Sequence, residues 1–287
     1  MLRTIAPLCA LLICSVAEAQ VPAAPETKSV PREALNTRAS PLNQSCGSMA
    51  GKQNAKSGFY WVTLDDEHQV LMYCNNDTTF DNLKGGWTLV WSNLRGGRGK
   101  LVSDLHWGAS IETLPRYRGA MITQASQDLQ SFEVFTGLRW WRRIIDAGKR
   151  REMAYVWAHN YGDLNQVDRQ AGCQFDLVPT DGWMITFKQA SCKGIAGTTE
   201  LPELFTNQGG NRWSTIDQDN DKYPGSCASL YGGGAPWWYH SCWSGSISGG
   251  GELADGGQSN GAYWKGMASK WGEADGTGAG NGWLYIR

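Results

Sequence analysis

The sequence predicts a β-rich α+β domain with short helices and a loop-rich C-terminal quarter. Three observations predict it. Short aromatic and β-branched runs, each bounded by polar or Gly-containing turns, read as strands. Of 36 glycines, 17 fall in residues 225–287, so that quarter is mostly turns and irregular backbone. Six cysteines beyond the N-terminal leader can crosslink such backbone in an oxidising compartment.

Residues 1–19 read as a secretory leader. Arg3 precedes the apolar run Ile5-Ala6-Pro7-Leu8-Cys9-Ala10-Leu11-Leu12-Ile13-Cys14, and Ala17-Glu18-Ala19 is a small-x-small cleavage site. The run is too short to span a bilayer, and no other stretch approaches about 18 continuous apolar residues. The chain is therefore expected to be secreted, with no membrane span. Residues 20–45 hold Pro22, Pro25, Pro31 and Pro41 and no aromatic residue, which predicts an extended linker. Neither a heptad nor a Gly-X-Y run supplies an oligomerising stalk, so the oligomeric state stays open. Asn43-Gln44-Ser45 and Asn76-Asp77-Thr78 are glycosylation sequons, making Asn43 and Asn76 candidate acceptors.

The domain itself is expected over residues 46–287. All 15 Trp lie between Trp61 and Trp283, and 41% hydrophobic residues suffice for a core. A formal net charge of −1 argues against general nucleic-acid binding. Gly58-Phe59-Tyr60-Trp61-Val62-Thr63-Leu64, Val70-Leu71-Met72-Tyr73-Cys74 and Gly85-Gly86-Trp87-Thr88-Leu89-Val90-Trp91-Ser92 read as strands. Ser126-Gln127-Asp128-Leu129-Gln130-Ser131 reads as the end of a short helix. Leu138-Arg139-Trp140-Trp141-Arg142-Arg143-Ile144-Ile145 leads to Lys149-Arg150-Arg151, placing six cations within 13 residues. This stretch reads as a strand and turn with a solvated face; its alternative is a patch for anionic glycans. Met153-Ala154-Tyr155-Val156-Trp157-Ala158 and Trp183-Met184-Ile185-Thr186-Phe187-Lys188 complete the strand pattern.

Cys46, Cys74, Cys173, Cys192, Cys227 and Cys242 allow 15 pairings, of which sequence neighbours make the simplest set. Without a CxxC pair, and with His scattered at 68, 106, 159 and 240, thiolate-bound zinc is disfavoured. Asp217-Gln218-Asp219-Asn220-Asp221 alternates carboxylates with amides before the turn at Pro224-Gly225, a source of the oxygens that hard cations bind. An EF-hand loop would need Gly at its sixth place and Glu at its twelfth. Lys222 and Ala228 stand there, so that motif is rejected.

Ser214-Thr215-Ile216-Asp217-Gln218-Asp219-Asn220-Asp221-Lys222 resembles the calcium loop of the fibrinogen C-terminal (fibrinogen-related) domain family, which includes ficolins and tachylectins. Trp237-Trp238-x-x-x-Cys242 and Asn260-Gly261-Ala262-Tyr263-Trp264-Lys265-Gly266 resemble its later segments. Cys46, Ser57-Gly58-Phe59-Tyr60, Tyr73-Cys74 and Gly85-Gly86-Trp87-Thr88-Leu89-Val90 fall in the same order near the start. The resemblance implies a calcium-stabilised fold with the ion held by Asp219, Asp221 and the carbonyls of Tyr223 and Gly225, Asp217 standing outside. Two carboxylates imply a weak extracellular affinity, roughly 10⁻⁴–10⁻³ M. It implies disulfides Cys46–Cys74 and Cys227–Cys242; Cys173–Cys192 has no counterpart. It also implies a ligand pocket beside a cis Cys242–Trp243 peptide, lined by Trp243, Tyr263, Tyr239, His240 and Trp264. Trp237 and Trp238 read as core packing instead. The chain departs from the family at Trp243, where His is common. It departs again in the glycine-rich residues 272–282, before Trp283-Leu284-Tyr285-Ile286-Arg287 supplies a closing strand.

Two functions of different class follow. One is lectin-like binding of glycans or acetylated groups, in defence or adhesion. The other is an extracellular protein-interaction domain with purely structural calcium. An enzyme is not expected: Gly-x-Ser-x-Gly, His-Glu-x-x-His and Gly-x-x-x-x-Gly-Lys-Ser/Thr are missing from the sequence.

Overall fold

The strand at the end of the chain, Ala279–Ile286, forms the middle of the main sheet. The computed structural model describes residues 34–94, 101–102, 105–119, 129, 132–148, 150–158, 169–232, 234–242, 247, 262–263 and 279–287. The elements run β1 (Leu42–Asn43), β2 (Gly58–Thr63), β3 (Gln69–Asn75), β4 (Thr79–Phe80), β5 (Leu83–Lys84), β6 (Trp87–Asn93), α1 (Trp107–Glu112), β7 (Arg116–Gly119) and β8 (Phe132–Phe135). They continue α2 (Leu138–Ala147), β9 (Glu152–Ala158), β10 (Arg169–Val178), β11 (Met184–Phe187), β12 (Lys193–Gly194), α3 (Glu203–Thr206), α4 (Cys227–Leu230), β13 (Ala262–Tyr263) and β14, the closing strand.

Among these residues the main sheet is ordered β1-β2-β3-β6-β14-β9-β10-β11. Only β1 and β2 pair in parallel along this path. Successive side chains of a strand face opposite sides, and both sides are buried here. From β14, Leu284 and Ile286 enter one core with Tyr155 and Trp157 of β9, while Trp283 and Tyr285 enter the other with Ala154 and Val156. The expected strands of this central part, including the closing one, therefore form because their aromatic and β-branched residues are buried on two faces.

Three disulfides join Cys46 to Cys74, Cys173 to Cys192 and Cys227 to Cys242. The expected linker ends before residue 45. Leu42 pairs with Val62, and the Asn36 amide accepts from Trp61 N at 2.6 Å and donates to its carbonyl at 3.0 Å. Domain structure thus reaches back to residue 34. The helix expected to end at 131 lies outside the described residues except for Leu129.

Residues 138–147 correct the strand reading: they form helix α2. Leu138, Trp141 and Ile145 recur at helical spacing and are buried with Trp140 and Ile144. The cations take the outer face and meet carboxylates there. Arg139 pairs with Glu112 at 2.8 Å, Arg142 with Asp146 at 2.8 Å and Asp176 at 3.0 Å, and Arg143 with Asp65 at 3.6 Å. Arg150 meets Asp81 at 2.6 Å, and Arg151 meets Asp146 at 3.5 Å. The described cations of this stretch are thus matched locally, which disfavours an anionic-glycan patch.

One ion pair is different in kind. Arg287 and Glu152 are buried, 2.7 Å apart from Nε to Oε2. The Arg287 guanidinium also donates to the carbonyls of Gly85 at 2.7 Å, Phe80 at 2.9 Å and Leu83 at 3.1 Å, and stacks 4.1 Å over Trp87. Removing it leaves three carbonyls without their donor and the buried Glu152 carboxylate held by Arg150 alone. We expect Arg287→Ala to destabilise the disulfide-intact domain by about 3–5 kcal/mol in urea unfolding. Arg139→Ala, whose ion pair is exposed, should leave the urea midpoint unchanged.

Candidate functional site

Residues 213–242 carry little regular structure, so tryptophans and side-chain hydrogen bonds must position them. Trp213, Trp237 and Trp238 are buried against Trp91 of β6 and Trp141 of α2. The Trp213 and Trp238 rings lie 4.4 Å apart, edge to face. Their N–H groups are spent inward, Trp213 on Ser110 Oγ at 2.9 Å and Trp238 on the Trp183 carbonyl at 2.8 Å. Ser214 and Trp237 exchange backbone hydrogen bonds at 2.9 and 3.0 Å, closing the base of the loop. Both tryptophans read as core, Trp237 and Trp238, are buried.

Above that base the acidic stretch folds on itself. Asn220 N donates to Ser214 Oγ at 3.0 Å, and Asn220 Nδ2 to the Trp213 carbonyl at 2.7 Å. Asp221 is the hinge: Oδ1 accepts from Tyr223 N and Oδ2 from Cys227 N, both at 2.8 Å. Lys222 N donates to the His240 carbonyl at 2.7 Å, tying the loop to the segment closed by Cys227–Cys242. A side chain at Gly232 would place its Cβ 2.0 Å from the Tyr239 hydroxyl, so only glycine fits there.

The three carboxylates have different partners. Asp217 turns away from the loop and onto α1. Its Oδ1 accepts from Thr215 Oγ1 at 2.6 Å and from Trp107 N at 2.9 Å, and Oδ2 lies 3.4 Å from His106 Nδ1. Desolvation opposes ionisation, but these donors outweigh it and hold Asp217 below the usual carboxylate range. Asp221 is shifted the other way. Partial burial, followed by the nearby Asp219, raises it despite the N–H groups of Cys227 and Tyr223.

Among the described residues no cluster of three or more His, Cys, Asp or Glu could hold a metal. A cation here would need the two carboxylates plus backbone oxygen. That donor set fits a hard divalent ion: burial and then the neighbouring Asp219 disfavour the Asp221 carboxylate, and a cation between the two would favour it. Asp219, Asp221 and the carbonyls of Tyr223 and Gly225 are the residues that would hold calcium.

Of the expected ligand-pocket residues, Tyr239, His240 and Tyr263 lie within the described residues. Tyr239 belongs to the core, a correction: it is 5% exposed and its hydroxyl donates to the Ala235 carbonyl at 2.8 Å. His240 is half-buried. Tyr263 pairs its backbone with Ala279 in β13 and β14. Trp243, its peptide bond to Cys242, and Trp264 lie outside the described residues, as do residues 272–278. Of the two sequons, Asn76 is corrected. It is 1% exposed, and its amide donates to the Lys56 carbonyl at 2.8 Å and accepts from Gly86 N at 2.9 Å. Asn43 is exposed.

Two exposed side chains beside the loop were missed in the sequence. Tyr223 is 37% and Leu230 53% exposed. Tyr223 meets Tyr231 edge-on, ring centroids 5.6 Å apart and hydroxyls 3.2 Å apart. No local signal separates Tyr223 from the buried Tyr239, since neither lies on a strand or helix face.

Residues 178–276 match the family model described as the C-terminal globular domain of fibrinogen beta and gamma chains. The mouse fibrinogen gamma chain is 35% identical over 247 residues, covering 79% of this chain and 52% of that one. The chicken fibrinogen alpha chain is 25% identical over 236 residues, covering 75% of this chain and 27% of that one. The chain thus spans about half of a gamma chain and about a quarter of an alpha chain. Among solved structures, the fibrinogen-like globe domain of human ANGPTL6 aligns with TM-score 0.57 and 21% identity, over 88% of this chain and 98% of that one. Lamprey fibrin D-dimer, complexed with the peptide Gly-His-Arg-Pro-amide, aligns with TM-score 0.58 and 18% identity, over 89% and 77%.

Because Asp221 holds two backbone N–H groups, its loss should weaken the loop with or without calcium. Asp219→Asn keeps the acceptor for Asp221 N and removes one charge, isolating the cation's part. At roughly 10 mM calcium and the affinity above, the wild type should gain about 1.4–2.7 kcal/mol over chelator, read as a higher melting temperature. Asp219→Asn should lose that gain. The pH response has a fixed sign. Asp221 is raised on folding, so in chelator its contribution is fully present below its unfolded pKa and is lost as pH rises through the folded one. Calcium, which needs the ionised form, should oppose that loss.

Proposed function

Because the chain belongs to the fibrinogen C-terminal domain family, we propose that it works outside the cell as a calcium-stabilised recognition domain with loop 217–242 as its working surface. The observation that carries this reading is one short loop combining two opposed carboxylates, Asp219 and Asp221, with the exposed side chains of Tyr223 and Leu230. Calcium on Asp219, Asp221 and the carbonyls of Tyr223 and Gly225 would hold the backbone that presents Tyr223. The activity is binding, not catalysis. Residues 1–19 would supply export, and among the described residues no helix is long and apolar enough to cross a membrane.

The ligand we favour is an extracellular polypeptide. An aromatic and an aliphatic side chain, Tyr223 just before the disulfide-closed segment and Leu230 within it, offer apolar contact area to such a partner. The peptide bound to lamprey fibrin supports it by analogy. A lectin-like reading, for glycans or acetylated groups, has its own support. The Tyr223 and Tyr231 rings stand beside the candidate cation, an arrangement suited to the apolar face of a sugar with its hydroxyls toward the metal. His240, Tyr263, Trp243 and Trp264 remain candidates to line such a site.

The test is retention on arrays of glycans, including N-acetylated ones, and of extracellular peptides, in calcium and in chelator. We expect calcium-dependent retention that the double variant Tyr223→Ala, Leu230→Ala loses while its melting temperature is unchanged. Retention indifferent to both calcium and this double variant would sink the loop as the working surface. A folded protein retained by peptides and by no glycan would end the lectin reading.

A further inference from the structure

A second feature lies at the edge of the sheet, away from the loop. A cleft of about 670 Å³ opens between residues 43–50 and the C-terminal end of α2. All three residues of the first sequon, Asn43, Gln44 and Ser45, line it. Asn43 is exposed, and its side-chain amide has no partner among the described residues. Asn76, the other acceptor, is walled in: its amide is engaged at both ends, and a Cβ on Gly85 would sit 3.0 Å from it. A sugar on Asn76 is incompatible with this fold.

The cleft's chemistry suits a sugar. Leu83 and Ala147 offer apolar surface, while Ser48 and Gln44 bring a hydroxyl and an amide. Arg150 directs Nε to Glu152 and Nη2 to Asp81, leaving Nη1 without a partner among the described residues. Neutral acceptors on a sugar, such as hydroxyls and an acetamido carbonyl, match an arginine whose charge two carboxylates already balance.

We propose that the folded chain is N-glycosylated at Asn43 alone, and that the first N-acetylglucosamine of that glycan seats in this cleft as a surface staple. The donor is a polyprenyl-diphosphate-linked oligosaccharide of the secretory pathway. The Asn43 Nδ2–C1 bond forms, the C1–O bond to the diphosphate breaks, the diphosphate leaves, and the amide gives up one proton. The sugar then covers Leu83 and Ala147 and accepts from Arg150.

The experiment uses the full chain behind a host leader in a eukaryotic secretory line, so the outcome is independent of residues 1–19. Protein recovered from the medium is trimmed by endoglycosidase to one N-acetylglucosamine and mapped by mass spectrometry. We expect the sugar on Asn43 and none on Asn76. The trimmed protein should melt roughly 2–4 °C above Asn43→Gln, the shift a contact of ordinary strength gives a domain of this size. Filling the cleft with Ala147→Phe, or from the opposite wall with Ser48→Tyr, should erase that difference while the sugar stays attached. Secreted protein bare at Asn43, or carrying sugar at Asn76, overturns the proposal. So does equal melting with and without the sugar.

Discussion

Packing of Trp213, Trp237 and Trp238 against Trp91 and Trp141 is the constraint on which the rest of the site depends. The 213–242 segment has few backbone ladders of its own. Its shape is set by indoles that are at most 1% exposed and mutually edge-on. Each indole brings a large apolar area and one N–H. Two of those N–H groups end on Ser110 and Trp183, which fixes orientation as well as depth. Interiors pack like crystals, so a platform of this kind has one arrangement. The acidic turn inherits that rigidity through the Ser214–Trp237 pair and the two bonds of Asn220.

On that platform, electrostatics sorts three similar residues into different roles. Asp217 reaches 110 residues back along the chain to the start of α1 and is stabilised as an anion by Thr215, Trp107 and His106. Asp221 organises the turn toward Cys227 but is raised by burial and by Asp219. The loop therefore sets two like charges side by side at the place where it also displays Tyr223. A cation bound between them would turn that repulsion into cohesion. The same loop would then be stiffest when it carries calcium, and a weak site of that kind would be coupled to the presentation of an exposed side chain.

The strands were legible because burial on two sheet faces selects aromatic and β-branched residues, and those are visible in any window. The neighbouring-cysteine pairs were legible from the resemblance and from spacing, and Trp237 and Trp238 read as core in the sequence. Helix α2 was not: Trp140-Trp141 and Ile144-Ile145 resemble strand doublets, and three turns of alternating cations obscured the 3.6 period. Tyr239 and Tyr223 are alike in sequence. One is packed against Gly232 and the other stands in solvent, a distinction only tertiary contacts make. Asn76 fails as an acceptor for the same reason. A sequon is a three-residue pattern, whereas its burial depends on Lys56 and Gly86. The contact of Asp217 with Trp107 has no local signature at all.

What holds these observations together is the claim that Asp219 and Asp221, placed by the tryptophan platform, are two ligands of one divalent cation. The most direct measurement is an anomalous difference map from crystals grown in calcium and exchanged with a lanthanide. The account predicts one strong peak bonded to Asp219, Asp221 and the carbonyls of Tyr223 and Gly225, with Asp217 still on Trp107. A map without density between Asp219 and Asp221, or with the metal on Asp217 instead, would contradict it.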